Sequence, residues 1–397
     1  MSAQLQTGLS PSALPGPHLE IDLEAVGENT RTLVAAARGE VMAVVKADGF
    51  GHGALAVAST ALTHGATSLG VTSIDEALAL RRAGLAAPVL SWLNAPGADF
   101  AAAIAAGIEI GVPGQEHLAA IVRAAEQTGR TARVHLHADT GLARDGAAPA
   151  EWERLCRRAA AEQARGRLRV VGLMGHLPCA DRPGDAANAG ARDAFARFVG
   201  VARRAGLHDV RRHLAATAAT LTDPLSHHDV CRVGAGLVGI DPSGSTILRP
   251  AMTLRAPLVS VRDVAAGTGI GYGHTAVADR ATRLGLLPLG YADGLPRAAA
   301  GRGEVTVHGR RCRIVGVVSM DQVVVDLGDL GARPGDVATV LGPGDLGEPT
   351  VTDWATWSDT LPHAIVVGLG PRIARSILPA APPRLRLLST PSSRTPS

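Results

Sequence analysis

The sequence predicts an α/β protein, an N-terminal (β/α)8 TIM-type barrel followed by a C-terminal all-β domain. Two observations carry this. Between about residues 24 and 240, eight short apolar runs alternate with Ala-, Leu-, Glu- and Arg-rich stretches of helical spacing, the order of a parallel sheet wound with helices. From about Pro250 the helical stretches give way to short runs separated by turn dipeptides, the texture of an all-β region. A doubly wound open sheet competes for the first part, but no G-x-G-x-x-G follows the first strand to favour it.

With 397 residues the chain can hold two domains with sizeable cores. Residues 1–16 are polar, contain Pro and Ser and lack the apolar segment of a signal peptide, so a disordered arm is expected there. His18 to Leu23 alternates like a strand. The barrel runs are Val41–Val45, Ser68–Thr72, Val89–Leu93, Ile108–Val112, Arg133–His137, Val170–Gly175, Arg211–Ala215 and Val230–Val233. Stretches such as Ile74–Ala83 and Gln115–Gln127 supply the helices between them. The later runs are Leu258–Val264, Thr282–Pro288, Glu304–His308, Cys312–Val318, Val323–Leu327 and Val337–Leu341, broken by turns such as Arg333-Pro334-Gly335-Asp336. The barrel is expected over 17–245 and the β domain over 246–378, with residues 379–397, rich in Pro, Ser and Arg, as a flexible tail.

Composition excludes several classes. A net charge of +3 with 3% aromatic residues gives neither an electrostatic footprint nor a stacking platform for nucleic acid. No apolar stretch reaches the length of a membrane span. Cys156, Cys179, Cys231 and Cys312 are far apart and form no C-x-x-C pair, as suits free thiols in a reducing cytosol. A cytoplasmic protein with no metal, nucleic-acid or membrane partner is expected.

Lys46 is the only lysine of the chain, and it ends the apolar run Val41-Met42-Ala43-Val44-Val45 just before the glycines of Gly49-Phe50-Gly51-His52-Gly53. A guanidinium cannot replace it where a neutral amine must attack a carbonyl, so a lone lysine at a strand end is a Schiff-base candidate. The two tyrosines are as scarce: Tyr272 in Gly271-Tyr272-Gly273-His274-Thr275 and Tyr291 in Gly290-Tyr291-Ala292-Asp293-Gly294. A barrel gathers function at the C-terminal ends of its strands. There the chain offers Lys46, then Asp139-Thr140-Gly141-Leu142-Ala143-Arg144, His176, Thr217, and Arg232 with Gly234-Ala235-Gly236. That combination suits pyridoxal 5'-phosphate, which has an aldehyde for the lysine, a phosphate for the glycines and a ring nitrogen needing a partner.

On these motifs, with Val318-Ser319-Met320-Asp321-Gln322 before Val325-Asp326, the chain from about residue 17 to 378 resembles the alanine racemases, a two-domain pyridoxal-phosphate family. The resemblance implies a head-to-tail homodimer whose β domain completes the partner's site, and a small-molecule amino-acid substrate. It implies Lys46 as the cofactor-linked base on one face of the substrate and Tyr272, from the other subunit, as base on the opposite face. Two bases serve racemisation because the α-proton leaves one side and another returns from the other. By the same matching, Arg232 faces the pyridine nitrogen with His176 behind it, while Thr217, Gly234, Ala235 and His363 fall at the phosphate. Arg144, Tyr291 and Met320 hold the substrate carboxylate or shape its entrance, and Asp321 supports that loop.

Departures from the family pattern are equally specific. His137 stands where many members carry a carbamylated lysine, Phe50 and His363 stand where tyrosines reach the phosphate, and Ala216 interrupts the His-x-Ala-Asn-Ser-Ala stretch. These leave room for a weakened cofactor site or another amino acid as substrate. A same-fold decarboxylase, which carries a catalytic cysteine, and a non-catalytic cofactor-binding paralogue are the rival readings.

Overall fold

The computed structural model describes residues 14–379; the expected arm and tail lie largely outside them. The barrel is built from β2 (Glu40–Val44), β3 (Ser68–Val71), β4 (Val89–Ser91), β5 (Glu109–Val112), β6 (Ala132–His137), β7 (Leu168–Met174), β8 (Arg211–His213) and β9 (Val230–Val233), which follow β1 (His18–Asp22). All eight expected runs are strands. They form one parallel sheet in sequence order, and β2 pairs with β9 as well as β3. Between β8 and β9 the ring is joined by a single bridge, Ala216 to Arg232, in place of a ladder.

The sequence explains the layers. Helix Gln115–Thr128 buries Leu118, Ile121, Val122 and Ala125 along one face and stops where Gly129 turns left-handed at φ 63, as helices commonly do. Helix Ile74–Arg82 starts in a reciprocal capping box between Ser73 and Glu76. Inside the barrel, Met42, Leu90, Met174 and Val230 pack together with Trp92 against them. The interior also buries Glu109, His135, His213 and Arg232, polar groups that need partners in so dry a place.

The second sheet contains β10 (Met252–Pro257), β11 (Ser260–Val264), β14 (Thr282–Leu287), β15 (Glu304–Val307), β16 (Arg310–Val315), β17 (Val323–Gly328), β18 (Val337–Leu341) and β19 (Ala374–Leu378), while β12 (Gly269–Ile270) and β13 (Ala276–Val277) form a separate small hairpin. Its order is β11-β14-β17-β16-β15-β18-β10-β1-β19. The strand at His18–Asp22, grouped with the barrel by its place in the chain, therefore sits in this sheet, antiparallel to β10 and parallel to β19. Its alternation fits the position: Leu19 and Ile21 are fully buried, each side chain contributing about 1.5–3 kcal/mol. Two short helices, Val351–Trp357 and Pro362–Gly368, interrupt the strands. Among the described residues no helix is long and apolar enough to cross a membrane.

Candidate active site

Lys46 leaves β2 at the C-terminal end of the barrel, where Glu76 pins the backbone. The Glu76 carboxylate accepts from the N–H of Ala47 at 2.7 Å and from the N–H and hydroxyl of Thr72 at 2.9 and 2.8 Å. After Lys46 the chain makes one left-handed turn, with φ of 52, 53, 62 and 58 at Ala47, Asp48, Gly49 and Phe50. Three of these four are not glycine, and each such residue costs about 1–2 kcal/mol. Bonds from outside hold the turn: Gly49 donates to Val45 at 2.9 Å, and the Asp48 carboxylate accepts from Ala54 at 2.8 Å. Burial lowers the Lys46 pKa, Arg144 lowers it further and Glu76 opposes them, so the neutral amine is easier to reach than in water.

Arg232 lies beneath the same end of the barrel. Its Nη1 donates to the His213 carbonyl at 2.8 Å and meets His213 Nδ1 at 3.0 Å, and its Nη2 donates to the Gly175 carbonyl at 2.7 Å and meets His176 Nδ1 at 3.2 Å. Nε is left without a protein acceptor among the described residues. Burial pulls the guanidinium down to about 10, so it stays charged at neutral pH. Burial, then the charges of Arg232 and Arg144, push His176 down to about 3; it is neutral and can accept from Arg232.

Thr217, Gly234 and Ala235 come together as expected, with a difference in roles. The Thr217 hydroxyl accepts from the N–H groups of Gly234 and Gly236, each at 3.2 Å, so those two donors are already used. The Ala235 N–H heads the turn Ala235–Val238, a position with no acceptor inside its own helix. Phe50 lies against Gly234, where an added Cβ would come within 2.7 Å of its ring. His363 reaches the same place from helix Pro362–Gly368, its ring 6.1 Å from that of Phe50, and its buried Nδ1 has no partner. The amine of Lys46 would meet the aldehyde of a pyridoxal phosphate, and the spare Nε–H of Arg232, the Ala235 N–H and the unpartnered His363 Nδ1 would meet its ring nitrogen and phosphate, so the residues present fit that cofactor.

The substrate side is divided. Arg144 is exposed beside Ala143, itself left-handed at φ 53. His137 Nδ1 stands 3.4 Å from Asp145 without forming a hydrogen bond; His137 is one of the residues that depart from the family pattern. Tyr272 caps the β12–β13 hairpin and is 77% exposed. Tyr291 and Met320 are exposed on two loops zipped together by bonds from Tyr291 to the Ser319 carbonyl and from Ala292 to the Met320 carbonyl, both 3.0 Å. Asp321 pairs with Arg372 at 2.8 Å, and the same arginine bonds Asp293 at 2.9 Å, which ties the two loops from behind. Glu76, Glu109, His135 and His213 are also partners of site groups, which their places in the sequence, taken singly, do not announce. The alternation in Arg133–His137, which aims His135 and His137 to one side of a buried strand, was the available signal.

The chain thus joins a barrel, with its one lysine at the end of the first strand and an arginine beneath it, to a tyrosine-bearing β domain, the layout of a two-domain barrel-plus-β protein. The family models for the N-terminal and C-terminal domains of alanine racemase match residues 21–242 and 251–377. An alanine racemase of Frankia casuarinae is 48% identical over 363 residues, covering 89% of this chain and 94% of the relative. The crystal structure of alanine racemase from D-cycloserine-producing Streptomyces lavendulae superposes with a TM-score of 0.90 at 42% identity, covering 94% of this chain and 99% of that one. That of Bartonella henselae, with covalently bound pyridoxal phosphate, has a TM-score of 0.84 at 25% identity, covering 92% and 100%. The chain belongs to the alanine racemase family, a family of isomerases.

Proposed function

We propose that this enzyme interconverts L- and D-alanine with pyridoxal phosphate held at Lys46, and that it works as a head-to-tail homodimer in the cytoplasm. The observation that carries this is the only lysine of the chain, its pKa lowered by burial, at the same barrel end as Arg232. Pyridoxal phosphate, when bound, supplies an electron sink that makes the α-C–H of an attached amino acid acidic. Lys46 Nζ takes or returns a proton on its own face. Tyr272 Oη does so on the other. In one chain that tyrosine stands out on an exposed hairpin, as suits a residue delivered to a second copy. Arg144 and the Met320 N–H bind the carboxylate, and Tyr291 narrows the entrance. Arg232 keeps a full positive charge where a weaker electron sink limits side reactions. The decarboxylase reading needs a reactive cysteine, whereas burial raises the thiols of Cys156, Cys231 and Cys312. Four free thiols fit a reducing compartment.

The test is α-proton exchange in deuterated water, with pyridoxal phosphate, over a panel of L- and D-amino acids. Exchange from both enantiomers of alanine with loss of optical activity is expected. Release of carbon dioxide, or exchange confined to another amino acid, would overturn the assignment.

A further inference from the structure

Glu109 is the first residue of β5, so among parallel strands it lies at the barrel end opposite Lys46, which stands just past the end of β2 at Val44. It is 2% exposed. Its Oε1 accepts from Arg133 Nε at 3.0 Å and Nη2 at 2.7 Å. Its Oε2 faces His135 Nε2 at 2.8 Å, with Arg211 Nη2 more distant at 3.5 Å. From there the chain of contacts crosses the interior: His135 Nδ1 is 2.8 Å from His213 Nε2, and His213 Nδ1 is 3.0 Å from Arg232 Nη1.

A carboxylate only accepts and a guanidinium only donates, so two neutral imidazoles between them have one consistent proton order. Arg232 donates to His213 Nδ1, His213 Nε2–H donates to His135 Nδ1, and His135 Nε2–H donates to Glu109. Burial keeps both imidazoles neutral. Burial alone would push the Glu109 carboxyl up, but the bonds from His135 and Arg133 outweigh it and hold it at about 2. Among the described residues every acceptor on Arg232 is uncharged: the carbonyls of Gly175, His213 and Leu214 and the two imidazole nitrogens. Glu109 is the carboxylate at the end of this line.

We propose that Glu109 is a positioning residue for the reaction: through His135 and His213 it sets the imidazole tautomers that hold Arg232 with its Nε–H as the donor left for the cofactor. The proposal rests on the pyridoxal-phosphate reading above. Its test uses the fact that glutamine offers one oxygen where glutamate offers two. In Glu109→Gln, the oxygen turns to the two strong Arg133 bonds, the amide NH2 confronts His135 Nε2, and the order of protons reverses up to Arg232. Removing that pull in Glu109→Gln/Arg133→Leu frees the oxygen to face His135 and restores the order.

Nitrogen-15 NMR of histidine-labelled apoprotein reads the tautomers without cofactor or turnover. His135 and His213 are expected as Nε2–H in the wild type and as Nδ1–H in Glu109→Gln. In the holoenzyme, Glu109→Gln is expected to lower kcat by roughly tenfold or more, the size usual for an outer-shell partner that orients an imidazole. KM for alanine should stay nearly unchanged, pyridoxal phosphate should bind more weakly, and its visible absorption band should move. The double variant should regain most of each. Unchanged tautomers in Glu109→Gln overturn the proposal, and so do reversed tautomers with wild-type kcat, cofactor affinity and spectrum. Equal losses in single and double variants, following a lowered melting temperature, assign a structural role and overturn it too. A wild-type chain that binds no pyridoxal phosphate removes the reaction itself, an outcome told apart because the apoprotein tautomers are read without the cofactor.

Discussion

A lysine amine in water is protonated at neutral pH and is no base. Lys46 differs because burial and the neighbouring Arg144 both disfavour its ammonium form. Lys46→Ala is therefore expected to abolish the visible absorption band of bound cofactor together with all racemisation, read by spectrophotometry and polarimetry. Tyr272→Phe should keep the band and lose turnover by about 10²–10⁴-fold, the usual weight of a positioned acid or base. Racemisation at the wild-type rate in Tyr272→Phe would remove the phenol from the reaction. Lys46, Tyr272 and Tyr291 stand out in the sequence because their residue types are rare in this composition. Glu109 and His213 do not, since a polar residue in an apolar run looks the same whether it faces solvent or a partner across the barrel.

At the scale of elements, the left-handed turn after Lys46 is the most demanding piece of local structure. Its strain is offset by packing from the second domain: an added Cβ at Gly51, whose φ is 78, would come within 2.5 Å of the Val366 carbonyl. Gly51→Ala therefore combines left-handed backbone strain with an overpacked contact and should cost about 2 kcal/mol or more, measured by urea unfolding. Because that contact seats the helix carrying His363, cofactor affinity should fall with it. A variant of unchanged stability would mean that helix Pro362–Gly368 yields freely. Most of the barrel strands were readable as short apolar runs buried on both faces, as β3, β4, β5 and β9 are; the half-buried Arg211–His213 was readable only from its place in the alternation. The handedness of residues 47–50 was not readable, since Ala47 and Phe50 disfavour it and only the surrounding contacts hold them there.

Across the whole molecule, two expectations concern assembly and acid. Lys46→Ala and Tyr272→Phe subunits, each inactive alone, should regain activity when unfolded and reassociated together. If Tyr272 serves the partner, half of the dimers are mixed and each mixed dimer has one intact site of its two, about a quarter of wild-type activity for a two-fold assembly. No recovery would place both bases in one chain. Acid stability follows from buried neutral histidines. Burial holds His52 at about 4 and His176 at about 3, below the ordinary value of 6.5 for an unfolded chain. As pH falls below 6.5 the unfolded state takes up protons that the folded state refuses, so stability declines down to about pH 4 and further toward pH 3. Glu109 acts in the same direction: held at about 2 against an ordinary 4.5, its contribution is present above 4.5 and lost as pH falls through 2. Urea unfolding free energies that are flat between pH 7 and pH 4 would contradict this.

The sequence by itself determined the class of fold, the position of the one amine and the family motifs around it, because periodicity and rare residues are local properties that survive without contacts. Tertiary structure alone decided which sheet receives the strand at His18–Asp22, since strand pairing joins segments more than two hundred residues apart. It also decided that the Thr217 hydroxyl occupies the Gly234 and Gly236 N–H groups, and that Arg232 meets Glu109 through two imidazoles. In each case the outcome depends on which donor reaches which acceptor in a closed, dry interior, and closure of the barrel is what sets those distances.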